Sequence, residues 1–163
     1  MIFVTVGTHE QPFNRLVEYM DNWAATHEEE VLIQTGFTTY VPKHCKYQKL
    51  FPQKKIYELN EQARVVITHG GPSCYIDVLR VNKIPIVVPR RHEYGEHIDN
   101  HQVEVGREFL KRNGNIILVE DIEKLGEILE HYDEITASMA KGFVPHNKVF
   151  SAELSKIVDK MFP

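Results

Sequence analysis

The stretch Val65-Val66-Ile67-Thr68-His69-Gly70-Gly71-Pro72-Ser73 decides the fold of this chain. Its β-branched start predicts a buried strand, and Pro72 suits the first position of a helix. The two glycines in between allow another molecule to approach the backbone closely. Because a helix N-terminus carries unpaired N–H groups and about half a positive charge, the stretch predicts a diphosphate site to which Ser73 adds a hydroxyl donor. A tight turn without a ligand is the alternative.

Strand-to-helix steps of the same kind recur along the chain. Runs rich in β-branched residues predict strands at 2–6, 31–35, 65–68, 84–88 and 116–119, and the ambiguous stretch 37–50 has room for a short strand near Tyr47. Apolar residues at helical spacing predict helices after Pro12, at 52–62, 73–81, 97–110 and 122–129, and a terminal amphipathic helix at 150–161. Because the strands are nearly all apolar, we expect an α/β fold whose parallel sheet carries helices on both faces.

The composition fits one domain over residues 1–163. Of the 163 residues, 42% are hydrophobic and 26% are charged, and the net charge is −4. Nucleic-acid binding, which usually needs a basic patch, is therefore not expected. Cys45 and Cys74 do not form a C-x-x-C pair or suggest a disulfide framework, which favours a reducing compartment. With no signal-peptide pattern and no apolar run near the roughly 20 residues of a membrane span, we expect a soluble, cytoplasmic chain.

Two further segments are expected at the edge of the sheet where ligands bind, outside the carboxyl ends of the strands. Gly7-Thr8-His9 follows the first strand and can add donors to the same anion, although a plain turn explains it equally well. Segment 89–102 follows the strand at 84–88, and there Arg90 or Arg91 suits a phosphate. The same segment holds side chains of the kind that bind sugar hydroxyls, with a solvated loop as the alternative: Glu96, His97, Asn100, His101 and Gln102.

Other nucleotide and metal motifs are absent from the sequence. It has no G-x-x-x-x-G-K-[ST], no G-x-G-x-x-G after the first strand, no G-x-S-x-G and no D-x-D. His97 and His101 have a spacing that can hold zinc, but no H-E-x-x-H pattern or neighbouring cysteine supports them. We therefore expect no metal and no cofactor.

Three motifs give the chain a family resemblance. They are T-H-G-G-P-S at 68–73, I-P-I-V-V-P-R at 84–90 and G-E-H-I-D-N-H-Q at 95–102. With V-T-V-G-T at 4–8, they resemble the glycosyltransferase family 28 C-terminal domain over about residues 1–120. More narrowly, the chain is similar to the small subunit of split enzymes. Its motifs are closer to bacterial capsule and exopolysaccharide subunits than to the eukaryotic subunit that works on dolichol diphosphate.

The resemblance implies a fold and a set of binding residues. It implies the Rossmann-like C-terminal half of a GT-B fold, which binds a UDP-sugar donor. The matching positions would place the diphosphate on the glycine turn beside His69, the ribose on Asp77, and the sugar on His101 and Gln102. The residues that would hold or flank the phosphates are Gly70, Gly71, Ser73, Cys74 and Arg90.

The reaction implied by the resemblance is metal-independent, inverting transfer of a hexose, with galactose favoured, to a lipid-diphosphate-linked saccharide. The acceptor half is expected to be a separate membrane-anchored chain that recruits this one to the inner face of the membrane. That partner would supply the general base, with His9 and Glu96 as local candidates. The helix predicted at 150–161 is expected either to dock on the partner or to pack on its own sheet.

Rival functions remain open at this point. The main alternative is a non-catalytic, nucleotide-sugar-binding regulatory subunit. A sugar-nucleotide epimerase would need a second domain for which the chain is too short. A receiver-like protein would need an acidic cluster after the first strand, which the sequence lacks.

Overall fold

The centre of the fold is a sheet of six strands. The computed structural model describes residues 1–142 and Ser155. The strands are β1 (Ile2–Thr5), β2 (Val31–Gln34), β3 (Lys46–Gln48), β4 (Val65–His69), β5 (Ile86–Val88) and β6 (Ile117–Leu118). They lie in the order β3-β2-β1-β4-β5-β6, and every neighbouring pair is parallel. The predicted parallel sheet is confirmed, including a short strand at Tyr47.

Helices connect the strands and cover the sheet. They are α1 (Asn14–Ala24), α2 (Gln53–Gln62), α3 (Pro72–Arg80), α4 (His101–Asn113), α5 (Leu125–Glu130) and α6 (Tyr132–Thr136), with 3₁₀ turns at His92–Tyr94 and Ile122–Lys124. Five of the predicted helices correspond to α1, α2, α3, α4 and the stretch of α5. The sixth, at 150–161, lies outside the described residues except for Ser155.

Both faces of the central strands β1, β2, β4 and β5 are largely buried, as their apolar sequences predict, whereas the edge strand β3 is exposed. Side chains alternate along a strand, so Ile2 and Val4 of β1 face one side and Phe3 faces the other. The first side packs mainly against α1 and α5, through residues that include Phe13, Leu16, Val17, Met20, Leu125 and Leu129. The second packs against α2 and α3 through Leu59, Ala63 and Val78. Helices on both faces leave the carboxyl edge as the open side of the sheet.

The sequence prediction of helix α4 is wrong at its start. The helix was expected from residue 97, with Ile98 on its buried face, but it begins at His101 and Ile98 is 72% exposed. Local polar contacts compete with an earlier start. Asp99 Oδ1 accepts the N–H of His101 at 3.0 Å, and Asn100 Oδ1 accepts the N–H of His92 at 2.9 Å. Side chains of Asp and Asn commonly favour such turns over a helix.

The strand order reverses at the centre of the sheet. From β1 the chain moves outward to β2 and β3, and it then returns to β4 on the other side of β1. The two connections leave β1 and β4 in opposite directions, so a crevice opens outside their carboxyl ends. Gly7 lies at the end of β1 and Gly70 directly follows β4. The fold therefore brings the two predicted glycine segments to the same crevice.

A buried carboxylate fixes the loop between β2 and β3. Asp21 of α1 is fully buried and accepts N–H groups of Lys43, His44 and Cys45 at 2.7–3.0 Å, besides the Tyr40 hydroxyl at 2.9 Å. Burial alone would raise the pKa of Asp21, but these hydrogen bonds outweigh it and lower the pKa to about 2. The carboxylate therefore stays charged and holds this loop against α1.

Candidate functional site

A cavity of about 390 Å³ occupies the crevice at the switch point of the sheet. Its walls come from the ends of β1, β2 and β4, from α2 and from the first turns of α3. The lining residues are Thr5, Gly7, Thr8, His9, Gln34, Gln53, Ile56, Asn60, His69, Ser73, Cys74, Asp77 and Gln102. Ten of the 13 lining residues have polar side chains, which can hydrogen-bond a ligand that carries polar groups.

The sequence identified more than half of this wall. The predicted residues that line the cavity are Gly7, Thr8, His9, His69, Ser73, Cys74, Asp77 and Gln102. The predicted Gly70 and Gly71 form the turn that connects His69 at the end of β4 to the start of α3. Of the candidates in segment 89–102, those that do not line the cavity are Arg90, Arg91, Glu96, His97, Asn100 and His101.

The His69 imidazole lies between the two glycine segments. A Cβ atom built at Gly7 would lie 2.4 Å from His69 Cε1, and one built at Gly71 would lie 2.4 Å from His69 Nε2. No side chain fits at either position without displacing the ring. Gly7 also has φ +75°, a conformation that side-chain-bearing residues rarely adopt. The packing of the His69 ring therefore requires glycine at positions 7 and 71, in addition to any need for a ligand to approach the backbone there.

Gln102 holds the glycine turn in place. Its Oε1 accepts the N–H of Gly70 at 3.0 Å and the N–H of Arg90 at 3.1 Å. A Cβ atom at Gly70 would lie 2.7 Å from Gln102 Cβ, so the turn packs tightly on α4. The side chain was expected to bind the sugar, but its oxygen joins the loops after β4 and β5. Only the Nε2 end remains for a ligand.

Arg90 does not have the role that the sequence suggested. Its side chain is fully buried, and its guanidinium donates to the carbonyl oxygens of Val6 (2.8 Å), Gln11 (2.7 Å) and Glu96 (3.0 Å). Burial lowers the pKa of Arg90 to about 10, although the nearby charge of Glu96 opposes this. The cation thus satisfies main-chain carbonyls and joins the loop after β1 to the loop after β5. This geometry contradicts a direct phosphate contact.

Glu96 and His101 are also placed outside the cavity. Both oxygens of the buried Glu96 carboxylate pair with Arg15 at 2.9 Å, and one also accepts the N–H of Arg91 at 3.0 Å. A carboxylate held in this way is not available to sugar hydroxyls or as a general base. His101 is exposed at the start of α4, and its backbone N–H donates to Asp99 Oδ1. The polar density of segment 89–102 therefore serves largely to build the loop.

His9 lines the cavity in a defined tautomer. The N–H of Gln11 donates to His9 Nδ1 at 3.2 Å, so the neutral ring carries its proton on Nε2. Burial, and then the positive charge of Arg90, lower the pKa of His9. At neutral pH the ring therefore offers the cavity an N–H donor. This disfavours the role of general base that was considered for it.

Buried His69 is expected to make the folded chain sensitive to acid. Burial, and then the charge of Arg90, lower the pKa of His69 from 6.5 to about 4. Between pH 6.5 and about pH 4, His69 binds a proton in the unfolded chain but not in the folded chain. The free energy of unfolding is therefore highest above pH 6.5 and decreases as the pH falls towards 4. The free energy of unfolding should drop by about 3 kcal/mol through this residue.

Urea titrations at steps across that pH range measure the effect. The His69→Gln variant is the control, because it lacks the titrating ring and its stability should depend less steeply on pH. Equal slopes for the two proteins would contradict a neutral, buried imidazole.

The part of the cavity wall that α2 provides was not predicted from the sequence. Gln53, Ile56 and Asn60 follow one another at spacings of three and four residues and therefore share one face of the helix. The sequence predicted the helix at 52–62 but singled out none of the three as a site residue. The position of α2 in the chain could have predicted this wall, because α2 follows β3 and therefore starts at the same edge of the sheet as the glycine turns. Gln34, at the end of β2, was not predicted as a site residue, and in the structure its Oε1 accepts the N–H of Phe51 at 2.8 Å.

Among residues 1–142 and Ser155, no three His, Cys, Asp or Glu side chains converge in a way that could ligate a metal ion. Over the same residues, no helix has the length and hydropathy needed to cross a membrane.

Comparison with known proteins gives a consistent family. The model of the glycosyltransferase family 28 C-terminal domain matches residues 1–159. A relative from Yarrowia lipolytica, "UDP-N-acetylglucosamine transferase subunit ALG13", is 31% identical over 67 residues, which are 41% of this chain and 32% of the relative.

Solved glycosyltransferase structures share the fold at low sequence identity. The calicheamicin glycosyltransferase CalG4 has a TM-score of 0.54 and 12% identity over 80% of this chain and 34% of its own. The glycotransferase of kitacinnamycin has a TM-score of 0.55 and 19% identity, with coverages of 84% and 34%. SnogD from Streptomyces nogalater has a TM-score of 0.52 and 17% identity, with coverages of 86% and 40%.

These likenesses show a Rossmann-like sheet of the kind found in GT-B glycosyltransferases. The chain spans roughly a third of the length of the relatives it matches. The family model, by contrast, covers nearly all of it, including the glycine turn and the loop that Arg90 holds. The chain therefore belongs to the glycosyltransferase family 28 C-terminal domain.

Proposed function

We propose that this chain is the donor-binding half of a UDP-sugar-dependent glycosyltransferase. The observation that carries the proposal is the cavity at the switch point, where a glycine turn and the N-terminus of α3 meet polar side chains. The family supports glycosyl transfer. The name of the Yarrowia lipolytica relative supports a nucleotide-sugar donor, UDP-N-acetylglucosamine in that protein's case. For this chain the sugar is a proposal, with galactose favoured by its capsule-type motifs.

The glycine turn and the start of α3 would bind the diphosphate of the donor. Pro72 has no N–H and the Cys74 N–H donates to the Gly71 carbonyl at 3.0 Å, so the Ser73 N–H is the donor that the first turn of α3 offers, and the Ser73 hydroxyl adds another at the cavity wall. The His9 ring adds a neutral N–H donor from the opposite side. During inverting transfer, negative charge grows on the leaving UDP. Donors already fixed in this arrangement stabilise that charge where it develops, so the proposed reaction needs no metal.

Asp77 would bind the ribose hydroxyls. It lies one helical turn beyond Ser73 on the cavity side of α3, and its carboxylate is held by Arg80 at 2.8 Å. We expect Asp77→Asn to weaken UDP binding by about 1–3 kcal/mol, because a charged acceptor is replaced by a neutral amide. Isothermal titration calorimetry measures the change. Asp133→Asn, which alters an exposed ion pair with Arg64, is the matched control, and affinity that is unchanged at position 77 would remove Asp77 from the site.

A second half is needed to complete a cleft of the GT-B type. The described residues form one sheet with its helices, and the solved relatives are about two and a half to three times longer than the part they share. We propose that a separate membrane-associated subunit binds the lipid-linked acceptor, supplies the general base and recruits this chain to the cytoplasmic face of the membrane. His9 and Glu96 are both engaged within this chain, which supports a base from elsewhere.

The test is a transfer assay with a radiolabelled donor. A thermal-shift panel of UDP-sugars first selects the donor, because a ligand that binds the folded state raises the melting temperature. The chain is then assayed alone and with membranes that contain the partner and acceptor. Transfer that requires both components supports the proposal. Full activity of the chain alone would refute the split arrangement, and UDP binding without transfer in the complete mixture would favour a regulatory subunit.

A further inference from the structure

Asn60 is a buried polar residue in the cavity wall with an unmet hydrogen bond. It is 2% exposed and lines the cavity. Its Oδ1 has no hydrogen-bond partner among residues 1–142. A buried polar atom without a partner costs about 1–3 kcal/mol, and folded proteins leave few of them. A leucine of similar size would avoid this cost, so the carboxamide needs another explanation.

The end of α2 is fixed in place around Asn60. The Lys83 ammonium donates to the main-chain carbonyl of Asn60 at 2.7 Å and also to those of Glu61 and Ala63. A cation at this position satisfies carbonyls that end a helix and complements the helix dipole. Because Lys83 lies three residues after the end of α3, in the turn that leads to β5, the same contacts tie the end of α2 to the end of α3. The Asn60 side chain is therefore presented to the cavity from a rigid frame.

The position of Asn60 corresponds to the part of the ligand beyond the diphosphate. Parallel strands make α2 and α3 run in the same direction, away from the carboxyl edge where the phosphates would bind. Asn60 lies seven residues after Gln53, so it is about 10 Å along α2 from that edge. On α3, Asp77 is also beyond the first turn. Ile56 adds an apolar surface one turn before Asn60 on the same helix face.

We propose that the Asn60 carboxamide hydrogen-bonds the nucleoside part of the donor, an inference that rests on the proposed function. A carboxamide offers an acceptor oxygen and two N–H donors. Two parts of a uridine match it, namely a ribose hydroxyl and the edge of uracil, where an N–H lies between two carbonyls. The ionised diphosphate carries acceptor oxygens only, so it has no donor for the Asn60 oxygen. Asn60 thus contributes to nucleoside recognition, and a rotation of the carboxamide brings its buried, unpaired oxygen to the bound donor.

The test compares Asn60→Leu with the wild-type chain by calorimetry and thermal unfolding. UDP affinity should fall about tenfold or more, because a buried hydrogen bond is lost, while affinity for inorganic pyrophosphate stays unchanged. The ligand-free variant should melt at the same temperature as the wild type or higher, since the unpaired polar atom is gone. A purely structural asparagine would instead lower the melting temperature and weaken both ligands. Asn113→Leu, at the exposed end of α4, is the control for the same chemical change.

Ligand analogues identify the part of the nucleoside that Asn60 contacts. With 2′-deoxy-UDP, 3′-deoxy-UDP and CDP, the ratio of wild-type to variant affinity should fall to about one for the analogue that lacks the group in contact. Equal ratios for UDP and all three analogues would overturn the proposal. If the wild-type chain does not bind UDP, the donor site itself is refuted. If Asp77→Asn weakens UDP binding and Asn60→Leu does not, only the role of Asn60 is refuted.

Discussion

The Gly71→Ala variant should lose at least about a hundredfold of its affinity for UDP, or about 2.7 kcal/mol. The backbone at Gly71 has φ −72° and ψ 120°, which alanine adopts without strain. The added methyl group would lie 2.4 Å from His69 Nε2, and the ring cannot move towards Gly7, whose backbone lies on its other side. The imidazole must therefore shift into the cavity that it lines, or the turn must open. Both changes disrupt the proposed diphosphate site.

Calorimetry with UDP measures the loss, and circular dichroism confirms that the variant is folded. Gly114→Ala is the control because a Cβ there meets no atom within 4 Å, although its φ of +63° strains any residue other than glycine. That variant should lose about 1 kcal/mol of stability and keep its affinity. Wild-type UDP affinity in Gly71→Ala would show that the turn does not form the diphosphate site.

Replacing the buried guanidinium should have the largest effect on stability. We expect Arg90→Lys to lower the free energy of unfolding by about 3 kcal/mol or more. A lysine ammonium keeps the charge but cannot match the planar fork that reaches the carbonyls of Val6, Gln11 and Glu96 together. Buried carbonyls that lose their donors are costly, and so is a buried charge that loses its acceptors.

Urea unfolding of Arg90→Lys measures this prediction. Arg112→Lys is the matched control, because that side chain is exposed on α4 and pairs with Glu108, and its loss should change stability by less than about 0.5 kcal/mol. The two roles considered for Arg90 predict different results. A direct phosphate contact would leave stability unchanged and weaken UDP binding, whereas the observed carbonyl contacts require the stability itself to fall.

The strands and the glycine turn were predictable because they depend on local pattern. The apolar run from Val65 and the glycines after His69 constrain the chain within a few residues, so the sheet, its parallel direction and the location of the cavity followed from the sequence.

The roles of Arg90, Glu96 and Asn60 were not predictable in the same way. An arginine that closely follows a strand at the ligand-binding edge has the same sequence pattern whether it binds phosphate or three carbonyls. The difference depends on Val6 and Gln11, about 80 residues earlier in the chain. Asn60 gives no signal in a helix of charged and polar residues until α2 is placed beside α3. Contacts between residues far apart in the chain determine the roles of these side chains, and such contacts cannot be read from a single sequence.

The guanidinium that joins the loops after β1 and β5 has a consequence for the kinetics of binding. Because the same cation holds Val6, Gln11 and Glu96, the two loops form one mechanical unit at the rim of the cavity. A ligand entering there meets a preorganised rim and spends little ordering entropy on it. Association should then follow a single bimolecular step without a slow isomerisation. The backbone amides of both loops should exchange with solvent at similar rates, because the loops open together in one cooperative step.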